Sequence, residues 1–211
     1  MSILYEKIFV IGSNKTGTTS FHHLFLRYGL KSQHSLTWKL NNYQCFSDGV
    51  YNSGTNDIYK NCHATFPNSL FILNTRPLYD WLYSRANHCC LLRASRMKGW
   101  PPNCKTYLSW IEWRIEYYND VLNYFVDNKD KLIICNIGKP LWENFIMSFV
   151  ANDNIQREYN SLHNKTPKNR IKNLELNLIK SEIEKAFTLT DIDKYNLLPN
   201  NLNIDLYKKH I

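Results

Sequence analysis

The sequence predicts an α/β fold with a parallel sheet, because three short apolar runs are each followed by a turn and a helical pattern. The runs lie within residues 8–11, 70–73 and 129–137. Short runs rich in β-branched and aromatic residues are typical of buried parallel strands. The chain has 211 residues, no internal repeat and no long linker, so we expect a single domain.

The first predicted strand leads into a glycine-rich loop and then into a helix. The loop, residues 12–17, reads GSNKTG, and the apolar residues between Thr18 and Tyr28 then follow at helical spacing. In a strand-loop-helix unit of this kind, loop N–H groups and the helix N-terminus direct partial positive charge at the same point. The segment therefore predicts a site for a phosphate or a sulfate.

The position of the lysine separates this loop from the nucleotide-triphosphatase loop GxxxxGK[ST]. Gly12 and Gly17 keep the spacing of that loop. However, the residue after Gly17 is Thr18 and not a lysine, and Lys15 lies two residues before Gly17. We expect Lys15 on the crown of the loop, where it can reach across a bound anion. Thr18 and Thr19 would offer hydroxyls at the start of the helix. An ordinary glycine turn between strand and helix is the alternative interpretation.

The second predicted strand ends at Arg76, and Pro77 then suits the first position of a helix. Arg76 is therefore expected at the carboxyl end of a strand, where open α/β sheets bind ligands. Ser84 lies eight residues later on the predicted helix. A guanidinium matches the geometry of a phosphate. A surface ion pair and a surface hydroxyl are the alternatives for these two residues.

In combination, the two segments resemble the sulfotransferases that use 3′-phosphoadenosine 5′-phosphosulfate (PAPS). That family binds the 5′-phosphosulfate on a loop like this one, and the 3′-phosphate on an arginine and on a serine eight residues later. The family often has Arg-Asp-Pro where this chain has Arg76-Pro77. The strand at 129–137 and the helical pattern at 140–150 follow as in the family. The segment 162–169, LHNKTPKN, is similar to its HxNK-type segment.

The resemblance covers about residues 6–166 and implies one domain, 1–211, with a three-layer α/β/α architecture and a P-loop-like phosphosulfate loop. The C-terminal segment, about 167–211, is expected to be helical and to pack on this core. The implied enzyme moves a sulfuryl group from PAPS to a hydroxyl or amine of a carbohydrate or small-molecule acceptor, without a metal. The residues assigned to the co-substrate are Ser13, Asn14, Lys15, Thr16, Gly17, Thr18, Thr19, Ser20, Arg76, Ser84, His163, Asn164 and Lys165.

The resemblance also implies catalytic roles. Lys15 would neutralise the bridging oxygen as the leaving phosphate gains negative charge. The acceptor needs a base, which in the family is a histidine or a carboxylate between the two nucleotide motifs. Asp48, in the segment FSDG, is ranked first and His63 second, and the other candidates are His34 and His22. A lone histidine is more often structural than catalytic.

Composition sets the remaining expectations. The net charge of +8 comes from scattered basic residues, which fits a basic cleft for a multiply anionic ligand better than a nucleic-acid surface. No apolar run reaches the roughly 18 residues of a membrane span, and no signal peptide is evident, so we expect a cytoplasmic protein. The six cysteines show no CxxC spacing, which predicts reduced thiols and no metal site.

Two other functions remain as alternatives. A nucleotide or small-molecule kinase with an atypical phosphate loop is disfavoured, because Gly17 is not followed by lysine and no acidic strand end is evident for magnesium. A catalytically inactive nucleotide-binding module of the same fold is disfavoured because Lys15, Arg76 and Ser84 are all present together.

Overall fold

The structure is a computed structural model, and it describes residues 4–34, 42–48, 58–93, 104–150, 173–187 and 207–210. Within these ranges the protein has an α/β fold, with a six-stranded sheet in which every pairing is parallel. The parallel α/β architecture expected from the sequence is therefore confirmed. None of the described helices is long and apolar enough to cross a membrane.

The strands lie in the order β2-β3-β1-β4-β5-β6. They are β1 (Ile8–Val10), β2 (Ser32–Gln33), β3 (Cys45–Phe46), β4 (Leu70–Thr75), β5 (Leu132–Asn136) and β6 (Lys208–His210). The helices are α1 (Thr18–Arg27), α2 (Ile58–Thr65), α3 (Leu78–Arg93), α4 (Cys104–Tyr124), α5 (Trp142–Val150) and α6 (Asn173–Ala186). Because all strands are parallel, the segments that follow them gather at one edge of the sheet.

Both faces of the sheet are covered by helices, which explains why the central strands are continuously apolar. One face packs on α2 and α4, and its strand residues are Phe9, Phe46, Phe71, Leu73, Leu132 and Ile134. The other face packs on α1 and α5, and its strand residues are Ile8, Val10, Cys45, Leu70, Ile72, Ile133 and Cys135. Strand residues alternate between the two clusters, as the two-residue period of a strand requires. A third cluster joins α3, α4 and α6.

Two tyrosines of α4 fix the ends of the two central strands. The Tyr117 hydroxyl donates to the carbonyl of Ile11 at 2.6 Å, and the Tyr118 hydroxyl donates to the carbonyl of Asn74 at 2.8 Å. Both tyrosines are buried. Each hydroxyl satisfies a carbonyl near the point where the strand leaves the sheet, so the following segments start from fixed positions.

The C-terminal segment differs in part from the expectation. Helix α6 lies within the predicted helical segment 167–211, but residues 208–210 form β6, which pairs with β5 from Ile133 to Cys135. The sequence KKH has no apolar pattern. This edge strand is held mainly by backbone hydrogen bonds, so its side chains need not be apolar. Tyr207 anchors it: the side chain is buried and its hydroxyl donates to the carbonyl of Leu122 at 2.7 Å. The segment is therefore not helical throughout, because residues 208–210 form a strand.

Replacing Gly12 tests how closely β1 and β4 approach each other, and Gly29 serves as the control. A Cβ at Gly12 would overlap the backbone carbonyl and the side chain of Asn74, whereas a Cβ at Gly29, which has φ +74°, would meet nothing within 4 Å. We expect Gly12→Ala to lower the free energy of unfolding by about 3 kcal/mol, because a backbone atom must move. Gly29→Ala should lower it by about 1 kcal/mol, the strain of a left-handed alanine. Urea denaturation measures both, and equal losses would contradict the close approach.

Candidate anion-binding site

The loop between β1 and α1 has the backbone geometry of an anion site. Lys15 and Gly17 are both left-handed, with φ of 67° and 100°. Left-handed residues within a loop turn neighbouring N–H groups into a concavity that binds anions. Gly17 directly precedes α1, and the N–H groups of Thr18 and Thr19 lie in its first turn, where no intrahelical acceptor exists. An anion placed there would meet these donors and the positive end of the helix dipole.

Asn74 holds the back of this loop against β4. Its Oδ1 accepts a hydrogen bond from the Gly12 N–H at 2.7 Å, and its Nδ2 donates to the Thr16 hydroxyl at 2.6 Å and carbonyl at 3.1 Å. The Thr16 hydroxyl in turn donates to the carbonyl of Ser13. Asn74 is completely buried. One amide side chain therefore ties together both ends of the loop, a role that the sequence analysis missed.

The crown of the loop is held by one donor that follows β4 and one on α3. The Trp81 Nε1–H donates to the carbonyl of Asn14 at 2.9 Å, and the Arg76 guanidinium approaches the carbonyl of Lys15 at 3.4 Å. A trans peptide points its C=O and N–H in opposite directions. Because the Asn14 carbonyl faces α3, the N–H of Lys15 faces away from α3, which orients the crown of the loop.

Arg85 is a second cation at this crown, and the sequence analysis did not select it. Its guanidinium donates to the side-chain oxygen of Asn14 and lies 4.7 Å from the ring centre of Trp110. It follows Ser84, the predicted phosphate ligand, which is buried on α3. Arg85 is also four residues after Trp81, so helical spacing alone places both side chains on the loop-facing side.

Arg114 lies behind Arg76. It is completely buried on α4, its guanidinium donates to the carbonyl of Arg76 at 3.1 Å, and it lies 4.5 Å from the ring centre of Trp81. Burial lowers the pKa of Arg114, and the charges of Arg76 and Arg85 act in the same direction. Three guanidinium groups therefore concentrate positive charge on the β4 side of the loop. Arg114 is far from the loop in sequence, so only the fold reveals this arrangement.

On the other side of the loop, a histidine and a carboxylate follow β2 and β3. His34 Nε2 lies 3.1 Å from the Thr19 hydroxyl, and His34 Nδ1 lies 3.1 Å from the Ser47 hydroxyl. Asp48 Oδ2 is 3.9 Å from His34 Nε2. The structure therefore brings Asp48, the first-ranked base, to the same edge as the loop. It brings His34 into direct contact with a predicted phosphate ligand, Thr19.

Two histidines, His34 and His88, are linked to the loop by the charges around them. Burial lowers the pKa of His34, Asp48 opposes this shift, and His23 and Lys15 reinforce it. Burial also lowers the pKa of His88 on α3, Lys15 and Arg85 reinforce this shift, and Asp48 opposes it. His88, which the sequence analysis did not select, therefore belongs to the same group of charges. A neutral imidazole can accept a hydrogen bond here.

The second-ranked base, His63, is not brought to this site. It lies on α2, its Nδ1 is 3.1 Å from the Tyr124 hydroxyl, and its ring packs on Phe71 and Phe125. The charges that influence its pKa are Lys131 and Asp130, which precede β5. Lys131 and Asp130 lie at the amino-terminal edge of the sheet, whereas the loop lies at the carboxyl edge. Its proximity to β4 in sequence was misleading, because α2 leads into the start of that strand.

The remaining predicted residues are distributed as follows. Ser13 is completely buried, and its hydroxyl has no hydrogen-bond partner among the described residues. Ser20 lies in the first turn of α1. His22 is in contact with His34, at 5.6 Å between ring centres, and its Nδ1 is 2.9 Å from the Ser32 hydroxyl. His163, Asn164 and Lys165 lie outside the described residues.

Metal ligation has no support in the described part of the chain. The residues that the structure describes contain no group of three or more histidine, cysteine or carboxylate side chains placed to hold a metal ion. On the β4 side, the strand ends carry buried amides, Asn74 in β4 and Asn136 in β5, and Asp48 is the carboxylate that follows β3. The arrangement is suited to binding an anion through backbone N–H groups, an ammonium and guanidinium groups.

Comparison with known proteins gives no family assignment. No family model, no curated protein and no solved structure matches the chain. The function is therefore inferred from the residues and geometry of the site.

Asn74→Asp tests the amide that holds the loop. Asn74→Ala and Asn74→Asp should each lower the free energy of unfolding by about 3 kcal/mol at pH 7, because Thr16 loses its donor inside the core. A carboxylate facing the Thr16 carbonyl should have a folded-state pKa above its unfolded value, so its penalty disappears as pH falls through that pKa. Urea denaturation at pH 7 and pH 5 should show partial recovery for the aspartate variant alone. Identical pH dependence of the two variants would contradict the assigned amide orientation.

Proposed function

We propose that the protein is a PAPS-dependent sulfotransferase, which moves a sulfuryl group to a hydroxyl or amine of a carbohydrate or small-molecule acceptor. One observation carries the proposal. Lys15 sits on a left-handed loop at the N-terminus of α1, beside Arg76 at the end of the neighbouring strand β4. A lysine at this position of the loop, with an arginine at the next strand end, suits a ligand with two separate anionic groups.

The spacing of the strands supports a single ligand for both groups. β1 and β4 are hydrogen-bonded neighbours, and such strands lie about 4.8 Å apart. The two phosphate groups of PAPS are on one ribose, so one nucleotide can reach both strand ends. The 5′-phosphosulfate would bind to the loop N–H groups, Thr18 and Thr19. The 3′-phosphate would bind to Arg76, with Ser84 and Arg85 on α3 beside it.

The chemistry then follows from the charges. The sulfur–oxygen bond to the phosphate breaks while a sulfur–oxygen bond to a hydroxyl acceptor, or a sulfur–nitrogen bond to an amine, forms in line with it, and the acceptor proton passes to a base. The Lys15 ammonium would lie near the bridging oxygen and stabilise the charge that develops on the leaving phosphate. Asp48 is proposed as the base, because it is partly exposed, with 42% of its side chain accessible, at the end of β3. The scheme requires positioning and charge stabilisation, and no metal.

Calorimetric titration with 3′-phosphoadenosine 5′-phosphate tests the nucleotide site. We expect micromolar binding to the wild-type protein and a loss of about ten- to a hundredfold in Arg76→Ala, the contribution of hydrogen bonds to a charged group. Lys60→Ala is the matched control, because it also removes one positive charge but lies on α2, where the ammonium pairs with Asp120 at 3.2 Å. This control should bind within about twofold of the wild type.

Two further ligands distinguish the possible roles of Arg76 and the competing functions. Adenosine 5′-monophosphate lacks the 3′-phosphate, so Arg76→Ala should weaken its binding only slightly if Arg76 acts on that phosphate. An equal loss for both nucleotides would mean that Arg76 acts only by bracing the Lys15 carbonyl. Undiminished bisphosphate binding in Arg76→Ala would overturn the assigned 3′-phosphate site. ATP binding that requires magnesium and exceeds bisphosphate binding would indicate a kinase.

A further inference from the structure

His34 connects the anion-binding loop with the segment that carries the proposed base. Its Nε2 is 3.1 Å from the Thr19 hydroxyl on α1, and its Nδ1 is 3.1 Å from the Ser47 hydroxyl after β3. Both ring nitrogens are therefore engaged by hydroxyl groups. Such a ring is poorly placed to take the proton of an acceptor directly, but it controls the direction in which each hydroxyl donates.

The Thr19 hydroxyl has one proton, and the tautomer of His34 decides where that proton points. If Nε2 is bare, it accepts the Thr19 proton, and Thr19 can offer an anion only a lone pair. If Nε2 carries hydrogen, it donates to Thr19 Oγ1, and the Thr19 proton is directed elsewhere. Thr19 lies in the first turn of α1, where the loop presents its donors. Only the second arrangement makes Thr19 a donor to a bound anion.

We propose that His34 is a positioning residue for the nucleotide: its Nε2–H orients Thr19 as a donor to the 5′-phosphate, and Ser47 stabilises that tautomer by donating to Nδ1. This inference rests on the proposed function, since the anion is taken to be the 5′-group of a nucleotide. The imidazolium form gives Thr19 the same orientation and adds a positive charge. Anion binding and protonation of His34 should therefore favour each other.

The direction of the resulting pH dependence follows from the groups around the ring. His22 stacks on it at 5.6 Å, Asp48 lies 3.9 Å from Nε2, and His23 and Lys15 act at longer range. Burial, His23 and Lys15 lower the pKa of His34 in the free protein, and Asp48 opposes them. A bound phosphate raises that pKa. Affinity should therefore increase as pH falls through the bound-state pKa, and the full gain is reached below the free-state pKa.

His34→Gln tests this inference, because glutamine can donate to Thr19 but does not titrate. Dissociation constants for 3′-phosphoadenosine 5′-phosphate are measured from pH 5.5 to pH 8 for the variant and the wild type. The ratio of the two constants at each pH cancels the titration of the ligand itself. We expect a ratio within about threefold at pH 8 that increases to about tenfold at pH 5.5. The matched control is His63→Gln, which removes a histidine on α2 at the opposite edge of the sheet, and its ratio should stay flat.

A double-mutant cycle with Thr19→Val separates positioning from a merely structural role. The cycle pairs Thr19→Val with His34→Ala at pH 8, because glutamine would keep the donor to Thr19 and the charge of His34 contributes least at that pH. If His34 acts through Thr19, the combined loss is smaller than the product of the two single losses. A ratio of dissociation constants that does not change with pH, or losses that simply multiply, would overturn the inference. Either result would leave the proposed function intact if the wild type still binds the bisphosphate. Absence of bisphosphate binding by the wild type would overturn both.

Discussion

The candidate site depends on one buried amide, Asn74. It accepts from the Gly12 N–H and donates twice to Thr16, so the start and the end of the loop are tied to β4. The Asn74 carbonyl is itself held by Tyr118. An alanine or a carboxylate could not make both contacts, because the position needs an acceptor and a donor on one short side chain. The left-handed geometry at Lys15 is therefore supported from the neighbouring strand and does not rest on the loop alone.

The parallel sheet explains why the two halves of the site differ in charge. The loop follows β1 at the centre of the sheet, and the order β2-β3-β1-β4-β5-β6 places different segments on its two sides. On the β4 side, Arg85 and Arg114 lie over the Trp81 ring, and Arg114 donates to the carbonyl of Arg76. On the β3 side, Asp48 and His34 follow short strands. The loop therefore lies between a strongly cationic region and a region with groups that can exchange protons.

The sequence predicted the features that local patterns determine. The strand, the glycine spacing and the helix start of the loop are contiguous, and Arg76 at the end of a strand was recognisable from Pro77. Asn74, Arg114 and His34 could not be assigned in this way, because their roles depend on partners that lie on other elements. The distance of His63 from the loop could not be read from the sequence for the same reason: its position in the chain does not tell which edge of the sheet α2 approaches. β6 was missed because backbone pairing with β5 leaves no apolar period in residues 208–210.

The division between the two sides of the loop bears on how a transfer reaction could be arranged. A nucleotide that spans β1 and β4 would have its 3′-phosphate among the guanidinium groups and its 5′-group on the loop. The leaving oxygen would then face the β4 side, and an acceptor in line with it would approach from the opposite side, towards β3. Asp48 is at that end of β3, and Lys15 lies on the crown between the two regions. In-line geometry and the order of the strands thus favour the same partition, with the cations on the leaving phosphate and the carboxylate beside the acceptor.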